Sequence, residues 1–166
     1  MNAARAPIAV IGTGYVGLVT AAGFAELGSE VWCMDIDAAK VARLQAKEVP
    51  IYEPDLEQLL ARNTERLHFS TELSQALEHA RLLLVAVGTP ATYSGDADLS
   101  AVMAVVDAIP ASGRHALVMK STVPCGTGAS VKRILSQQGK GELGYVSCPE
   151  FLKEGSAVHD FLLPTA

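Results

Sequence analysis

The feature that most constrains how this chain folds is Gly12-Thr13-Gly14-Tyr15-Val16-Gly17, which follows an apolar run at 7–11 and opens a helical pattern at 15–27. In that setting each glycine has its own task. The first permits a tight turn after a strand, the second lets a pyrophosphate approach the backbone, and the third lets the helix pack against the strand. The start of the helix then presents unpaired N–H groups and the positive end of its dipole, which favour a negatively charged ligand. The six-residue pattern is short, and a glycine turn without a ligand is its plain structural alternative. The strand before it and the helix after it favour a dinucleotide.

Val16, Val19, Ala22 and Phe24 fall where a helix covering a sheet needs apolar groups, and Gly28 stands where a left-handed C-terminal cap is expected. A second strand at 31–34 completes a βαβ unit, whose crossover is right-handed if its strands are parallel neighbours. Asp35 ends that strand, about 20 residues after the glycine turn, where an acidic side chain accepts hydrogen bonds from the adenosine ribose. A carboxylate there repels the additional phosphate of NADP, so NAD is the expected cofactor. Asp37 reads instead as the N-cap of a helix at 38–47.

Residues 50–56 carry two prolines and interrupt the regular alternation before a short helix ending near Arg62; read alone, they are a structural connection at the sheet's edge. A strand at 67–69, a helix at 72–79 and an apolar strand at 82–87 follow, the last without a polar face, as befits a parallel strand covered on both sides. Then come a helix at 99–109 with Asp98 as its N-cap, a strand at 116–119, a helix at 126–138 and a strand at 144–147. This order predicts an α/β, Rossmann-type doubly wound fold, with a mostly parallel six-stranded sheet and helices on both faces. Residues 1–166 would form one such domain.

Charge narrows the partners. The formal net charge is -5 and the 13 Lys and Arg residues form no block, which argues against nucleic acid or an anionic membrane. No apolar run approaches the ~20 residues of a membrane span. The apolar stretch after Arg5 runs straight into the glycine turn, so it reads as a strand and not a secretory leader. Cys33, Cys125 and Cys148 are far apart with no C-x-x-C pair, and the histidines show no metal-ligand spacing, which predicts a reducing cytoplasm and no metal site.

Three strand exits, Gly88-Thr89-Pro90, Ser121-Thr122 and Pro149-Glu150, fall at the same end of the sheet as the glycine turn, where open α/β sheets bind their ligands. Read from the residues alone, Glu150 fits a base acting on water and equally a carboxylate held by a helix dipole. Thr122 reads as a strand-end or N-cap hydroxyl, and Lys153 as a solvated charge beside a cleft. The segments GTGYVGL, MDID, PIYEPDLEQLL, VAVGTP, KSTVPCGT and PEFLKEG nonetheless occur together, over almost the whole chain. In this combination the sequence resembles the nucleotide-sugar 6-dehydrogenases, the UDP-glucose/GDP-mannose dehydrogenase family, with the UDP-glucose enzymes nearest.

The resemblance implies an NAD-dependent, four-electron oxidation of a sugar primary alcohol to a carboxylate, UDP-glucose to UDP-glucuronate, consuming two NAD and passing through a cysteine thioester. It implies that Gly12, Thr13, Gly14, Tyr15, Val16 and Gly17 cradle the pyrophosphate and that Asp35 and Lys40 hold the ribose. Val87, Gly88, Thr89, Pro90, Ser121, Thr122 and Val123 would line the cofactor. Glu150 would be the carboxylate of the water-handling step, with Thr122 placing a water. Glu150, Phe151, Leu152 and Lys153 would meet the nucleotide sugar, and Glu154 would lie near both it and the nicotinamide end.

Two departures stand out. Cys148 occupies a place where the family usually has Asn; it is not the family's nucleophile and reads as a small buried residue. The sequence also stops at Pro164-Thr165-Ala166, ahead of the connecting helix and second domain that in the family supply the cysteine nucleophile, most uridine contacts and most of the dimer interface. The expectation is that this stretch supplies NAD binding and part of an active site, does not turn over alone, and is open to monomeric and dimeric states. A stand-alone NAD-binding or regulatory module, or a part of a UDP-N-acetylsugar or GDP-mannose 6-dehydrogenase, is the alternative. Lys120 before Ser121-Thr122 favours the UDP-glucose enzymes over the GDP-mannose ones, where Arg is usual.

Overall fold

The computed structural model describes residues 5–111 and 114–163. Six strands, β1 (Ile8–Ile11), β2 (Val31–Met34), β3 (Leu67–Ser70), β4 (Leu82–Val85), β5 (Ala116–Met119) and β6 (Gly144–Ser147), form one sheet in the order β3-β2-β1-β4-β5-β6. All five pairings are parallel, with Ile8 opposite Val31 on one side and Leu82 on the other. The strand order reverses between β1 and β4, and an open sheet leaves a crevice at that point, beyond the carboxyl ends of its strands.

The apolar strands are explained by two cores, one on each face. Ile8 and Val10 of β1 pack in the first with Val31, Leu18, Leu59 and Val158, whereas Ala9 and Ile11 join Leu83, Val102, Leu117 and Val131 in the second. A strand whose side chains alternate between two buried faces has no position left for a polar residue. Hence the unbroken apolar runs. The edge strands differ: along β6 only Tyr145 is even half-buried.

The helices are α1 (Tyr15–Glu26), α2 (Ala38–Gln45), α3 (Leu56–Arg62), α4 (Leu73–His79), α5 (Ser100–Ala108), α6 (Thr127–Gln137) and α7 (Ala157–Leu162). Helix α1 ends as its sequence predicts. Gly28 has φ +94°, its N–H donates to Ala25, and Ser29 N–H reaches back to Phe24, which closes a Schellman motif. Asp37 caps α2, its Oδ1 accepting from the Ala39 and Lys40 amides at 3.0 and 3.1 Å. Replacing this N-cap by alanine is expected to cost about 1 kcal/mol, read as a lower urea midpoint at unchanged slope. Asp98 accepts from the Ser100 amide at 2.8 Å, at the start of α5.

Differences from the sequence expectations lie at element ends and after residue 155. Helix α2 stops two residues early, where Lys47 turns to a left-handed φ of 65°, and β4 ends at Val85 although Ala86 still donates to Ile11. Helix α7 carries no periodic signal of its own. It is fixed by packing on α1, where the Phe24 and Phe161 rings meet edge to face at 5.4 Å and Phe161 fills the space a side chain at Gly23 would need. No helix of the described residues is long and apolar enough to cross a membrane.

Candidate functional site

The three glycines of the first turn sit in three different environments. Gly12 has φ +95°, and a Cβ there would lie 2.6 Å from the Ala86 carbonyl oxygen. At Gly17 the Cβ would run into the Gly12 carbonyl. Both positions are closed by backbone, one by the turn and one by the approach of α1 to β1. Gly14 is the opposite case, with an ordinary φ of -70° and nothing within 4 Å of a Cβ. It forms the N-cap of α1, which has no side-chain cap and no acidic residue in its first turn. The first N–H groups of a helix have no partner within it, so this start offers N–H donors and the positive end of the helix dipole towards open space.

The next strand exit adds a carboxylate. Asp35, on the residue after β2, is buried and accepts from the Thr13 amide at 2.8 Å, the Thr13 hydroxyl at 2.7 Å and Lys40 Nζ at 2.9 Å through Oδ2, and from the Asp37 amide at 3.0 Å through Oδ1. Burial opposes its charge, but the hydrogen bonds from Thr13, Asp37 and Lys40 outweigh that and hold the carboxyl below the usual carboxylate range. Thr13 is therefore not a free ligand group; its backbone and hydroxyl tie the glycine turn to Asp35.

These residues open onto a cleft of about 790 Å³ lined by Ile11, Gly12, Gly14, Met34, Asp35, Ile36, Lys40, Thr71, Leu73, Val87 and Gly88, with Ala101, Ala104, Val105 and Ala108 of α5 as the far wall. Ile36 is 87% exposed, an apolar side chain standing at the cleft's rim. The wall residues were not singled out from sequence. Their signal is the spacing of Ala101, Ala104 and Ala108, which puts three small side chains on one helical face.

The other strand exits are stitched to one another. Ser121 donates its hydroxyl to Val87 O at 2.7 Å, and Thr89 donates to Thr122 O at 2.7 Å, which ties the loops after β4 and β5 together. Val123 packs into the second core, and Pro90 accepts the Asp98 amide at 2.8 Å. Beyond β6, Cys148 donates its N–H to Met119 O at 2.9 Å, and its side chain is exposed, not buried as expected, because β6 is the sheet's edge. Glu150 is half-buried and accepts the Leu152 amide at 2.7 Å. Phe151 is 91% exposed, Lys153 and Glu154 are exposed, and Leu152 packs on the first core.

The cleft thus brings together Gly12, Gly14, Asp35, Lys40, Val87 and Gly88. Thr13, Tyr15, Val16, Gly17, Thr89, Pro90 and residues 121–123 and 150–154 are not among its lining residues. Among the described residues no hydrogen bond joins Thr122 to Glu150. The residue that sequence reasoning passed over is Glu53 in the proline segment, buried and bonded to Tyr15, Gly155 and Ala157. Burial opposes its charge too, and the Tyr15 hydroxyl and backbone amides outweigh it to lower its pKa. With both Asp35 and Glu53 depressed in the fold, the unfolded chain takes up protons first. Their contribution to stability is therefore full above about pH 5, beyond both unfolded values, and is lost progressively as pH falls through the depressed folded ones. Urea midpoints should drop between pH 7 and pH 3, and a pH-independent midpoint would contradict the assignment.

The profile of the UDP-glucose/GDP-mannose dehydrogenase family, NAD binding domain, matches residues 6–166. The chain is 46% identical over 159 residues to a UDP-glucose 6-dehydrogenase of Bacillus subtilis, covering 92% of this chain and 34% of that protein. It is 46% identical over 166 residues to the UDP-glucose 6-dehydrogenase of Pseudomonas aeruginosa, covering 95% and 37%. Among solved structures, a UDP-glucose dehydrogenase from Pyrobaculum islandicum superposes with a TM-score of 0.87 at 39% identity, over 99% of this chain and 40% of that one. GDP-mannose dehydrogenase from Pseudomonas aeruginosa does so with 0.88 at 34% identity, over 95% and 39%. The sequence spans about a third of the length of the curated relatives it matches. With its strand order, its glycine turn and this match over nearly every residue, the chain belongs to the UDP-glucose/GDP-mannose dehydrogenase family, of which it is the NAD-binding domain.

Proposed function

We propose that the chain binds NAD in the cleft beyond β1, β2 and β4 and serves, with Thr122 and Glu150, the oxidation of UDP-glucose to UDP-glucuronate. The observation that carries this reading is the open face of Gly14 at an uncapped helix start, beside a buried, charged Asp35 that the adjoining Thr13 holds on the same cleft. Those two features fit a pyrophosphate and a ribose diol. NAD supplies the hydride acceptor, and two NAD serve the four-electron change. Gly12 and Gly14 admit the pyrophosphate, Asp35 and Lys40 take the ribose hydroxyls, and Ile36 with Leu73 offers apolar walls for the adenine. Val87, Gly88, Thr89, Pro90, Ser121, Thr122 and Val123 guide the nicotinamide half.

Glu150 is half-buried beside an exposed Phe151 and Lys153, a setting in which a carboxylate can hold the proton of an attacking water while the neighbours meet the sugar nucleotide. Phe151, Leu152, Lys153 and Glu154 would form the substrate edge. UDP-glucose is preferred over GDP-mannose because, among solved structures, a UDP-glucose dehydrogenase is 39% identical against 34% for the GDP-mannose enzyme, and curated relatives named for UDP-glucose reach 46%. The described cysteines are all free, which suits the reducing cytoplasm. Amide NMR of the chain tests the reading. NAD should shift residues 12–17, 35–40 and 87–90, and UDP-glucose added to the NAD complex should shift 150–154. NAD-induced shifts confined to other residues would overturn it.

A further inference from the structure

The proline segment lines no part of the cleft, yet it carries Glu53, a carboxylate that is only 5% exposed. Its Oε2 accepts the Tyr15 hydroxyl at 2.6 Å and the Gly155 amide at 2.8 Å, and its Oε1 accepts the Ala157 amide at 2.8 Å. Among the described residues no cation pairs with it; fixed dipoles answer its charge. A buried charge is costly to keep, and it is well served here only while those donors stay in place.

The donors belong to two parts of the site. Tyr15 is the first residue of α1 and follows Gly14, the glycine with the open face. Gly155 and Ala157 close the far end of the segment at 150–154, whose near end is held by the Cys148 amide on Met119. Between these ties the segment has the Leu152 amide on Glu150, with Phe151, Lys153 and Glu154 exposed. Pro50 and Pro54 restrict the backbone on either side of Glu53, and Asp55 follows with a left-handed φ of 64°. The carboxylate is thus held at a set position from its own side as well. Glutamine could not replace it, because one of the two accepting oxygens would become a donor facing donors.

We propose that Glu53 is a positioning residue that joins the dinucleotide turn to the 150–154 segment, through the Tyr15 hydroxyl on one side and the Gly155 and Ala157 amides on the other. Occupying the turn then holds the segment. This rests on the reading that NAD binds at the turn. Tyr15 gains a further restraint when the helix start is occupied, and through Glu53 that restraint reaches two amides that point at the carboxylate and not at the cleft.

Amide hydrogen exchange with and without NAD tests the proposal, each protein being held at about a hundred times its own Kd from calorimetry. If opening of residues 155–157 breaks the NAD site, NAD slows their exchange by a factor of 1 + [NAD]/Kd, about 100-fold. Tyr15→Phe, which removes one oxygen, should cut that factor to below about threefold. Glu53→Gln should do the same; should it fail to fold, Tyr15→Phe alone carries the test. A tie that only supports the fold would lower the melting temperature of Tyr15→Phe and leave the NAD-dependent factor equal in both proteins. That result overturns the proposal, as does NAD binding to the native chain without slowing Gly155 and Ala157. Absence of NAD binding to the native chain overturns the proposal together with the functional reading beneath it.

Discussion

Gly17→Ala is expected to destabilise the chain by about 3 kcal/mol or more, whereas Gly14→Ala, earlier in the same motif, should leave the fold intact and lose NAD. The difference follows from what each added methyl meets. At Gly17 it would enter the Gly12 carbonyl, a backbone atom of the turn that cannot step aside without parting α1 from β1. At Gly14 it meets nothing within 4 Å and the backbone is of a kind any residue adopts. The space it fills is the space proposed for the pyrophosphate. Urea unfolding should therefore show Gly14→Ala less stable by no more than about 1 kcal/mol, the cost of an alanine at an N-cap, while calorimetry shows NAD affinity lower by at least about tenfold, or 1.4 kcal/mol. Equal stability losses in the two variants would contradict this division of labour.

The second large effect is expected at Asp35. Its carboxylate already holds Thr13, Asp37 and Lys40 in place, and its proposed ligand is the ribose diol. Asp35→Ala removes charge-assisted hydrogen bonds of about 1.5–3 kcal/mol, which corresponds to a NAD affinity lower by roughly 10- to 100-fold. It also removes the charge that repels a phosphate on the ribose and frees Lys40. Discrimination against NADP should narrow as NAD binding weakens. Titrations of both dinucleotides into both proteins measure this, and an unchanged ratio of the two affinities would place the ribose elsewhere.

Much of this was readable in the chain because its causes are local. The glycine turn, Gly28 as a left-handed cap, Asp37 as an N-cap and the apolar run of β4 each depend on neighbours a few residues away. The sheet order then places their exits together. Glu53 was not readable, because its partners are 38, 102 and 104 positions distant and only the packing of α7 and α1 brings them to it. Helix α7 is short and takes its place from Phe161 against Gly23 and Phe24. Cys148 was expected inside because thiols usually are; its strand lies at the edge, and the side chain is exposed. Ile36 gave no periodic signal, and its place at the cleft follows only from the end of β2 beside Asp35.

The central claim is that this domain carries a dinucleotide site selective for NAD, built on Gly14 and Asp35. Calorimetric titration of the chain with NAD and, separately, with NADP tests it most directly. One NAD per chain is predicted, with NADP weaker by at least about tenfold, equivalent to 1.4 kcal/mol. Undetectable NAD binding, or equal affinity for the two dinucleotides, would contradict it.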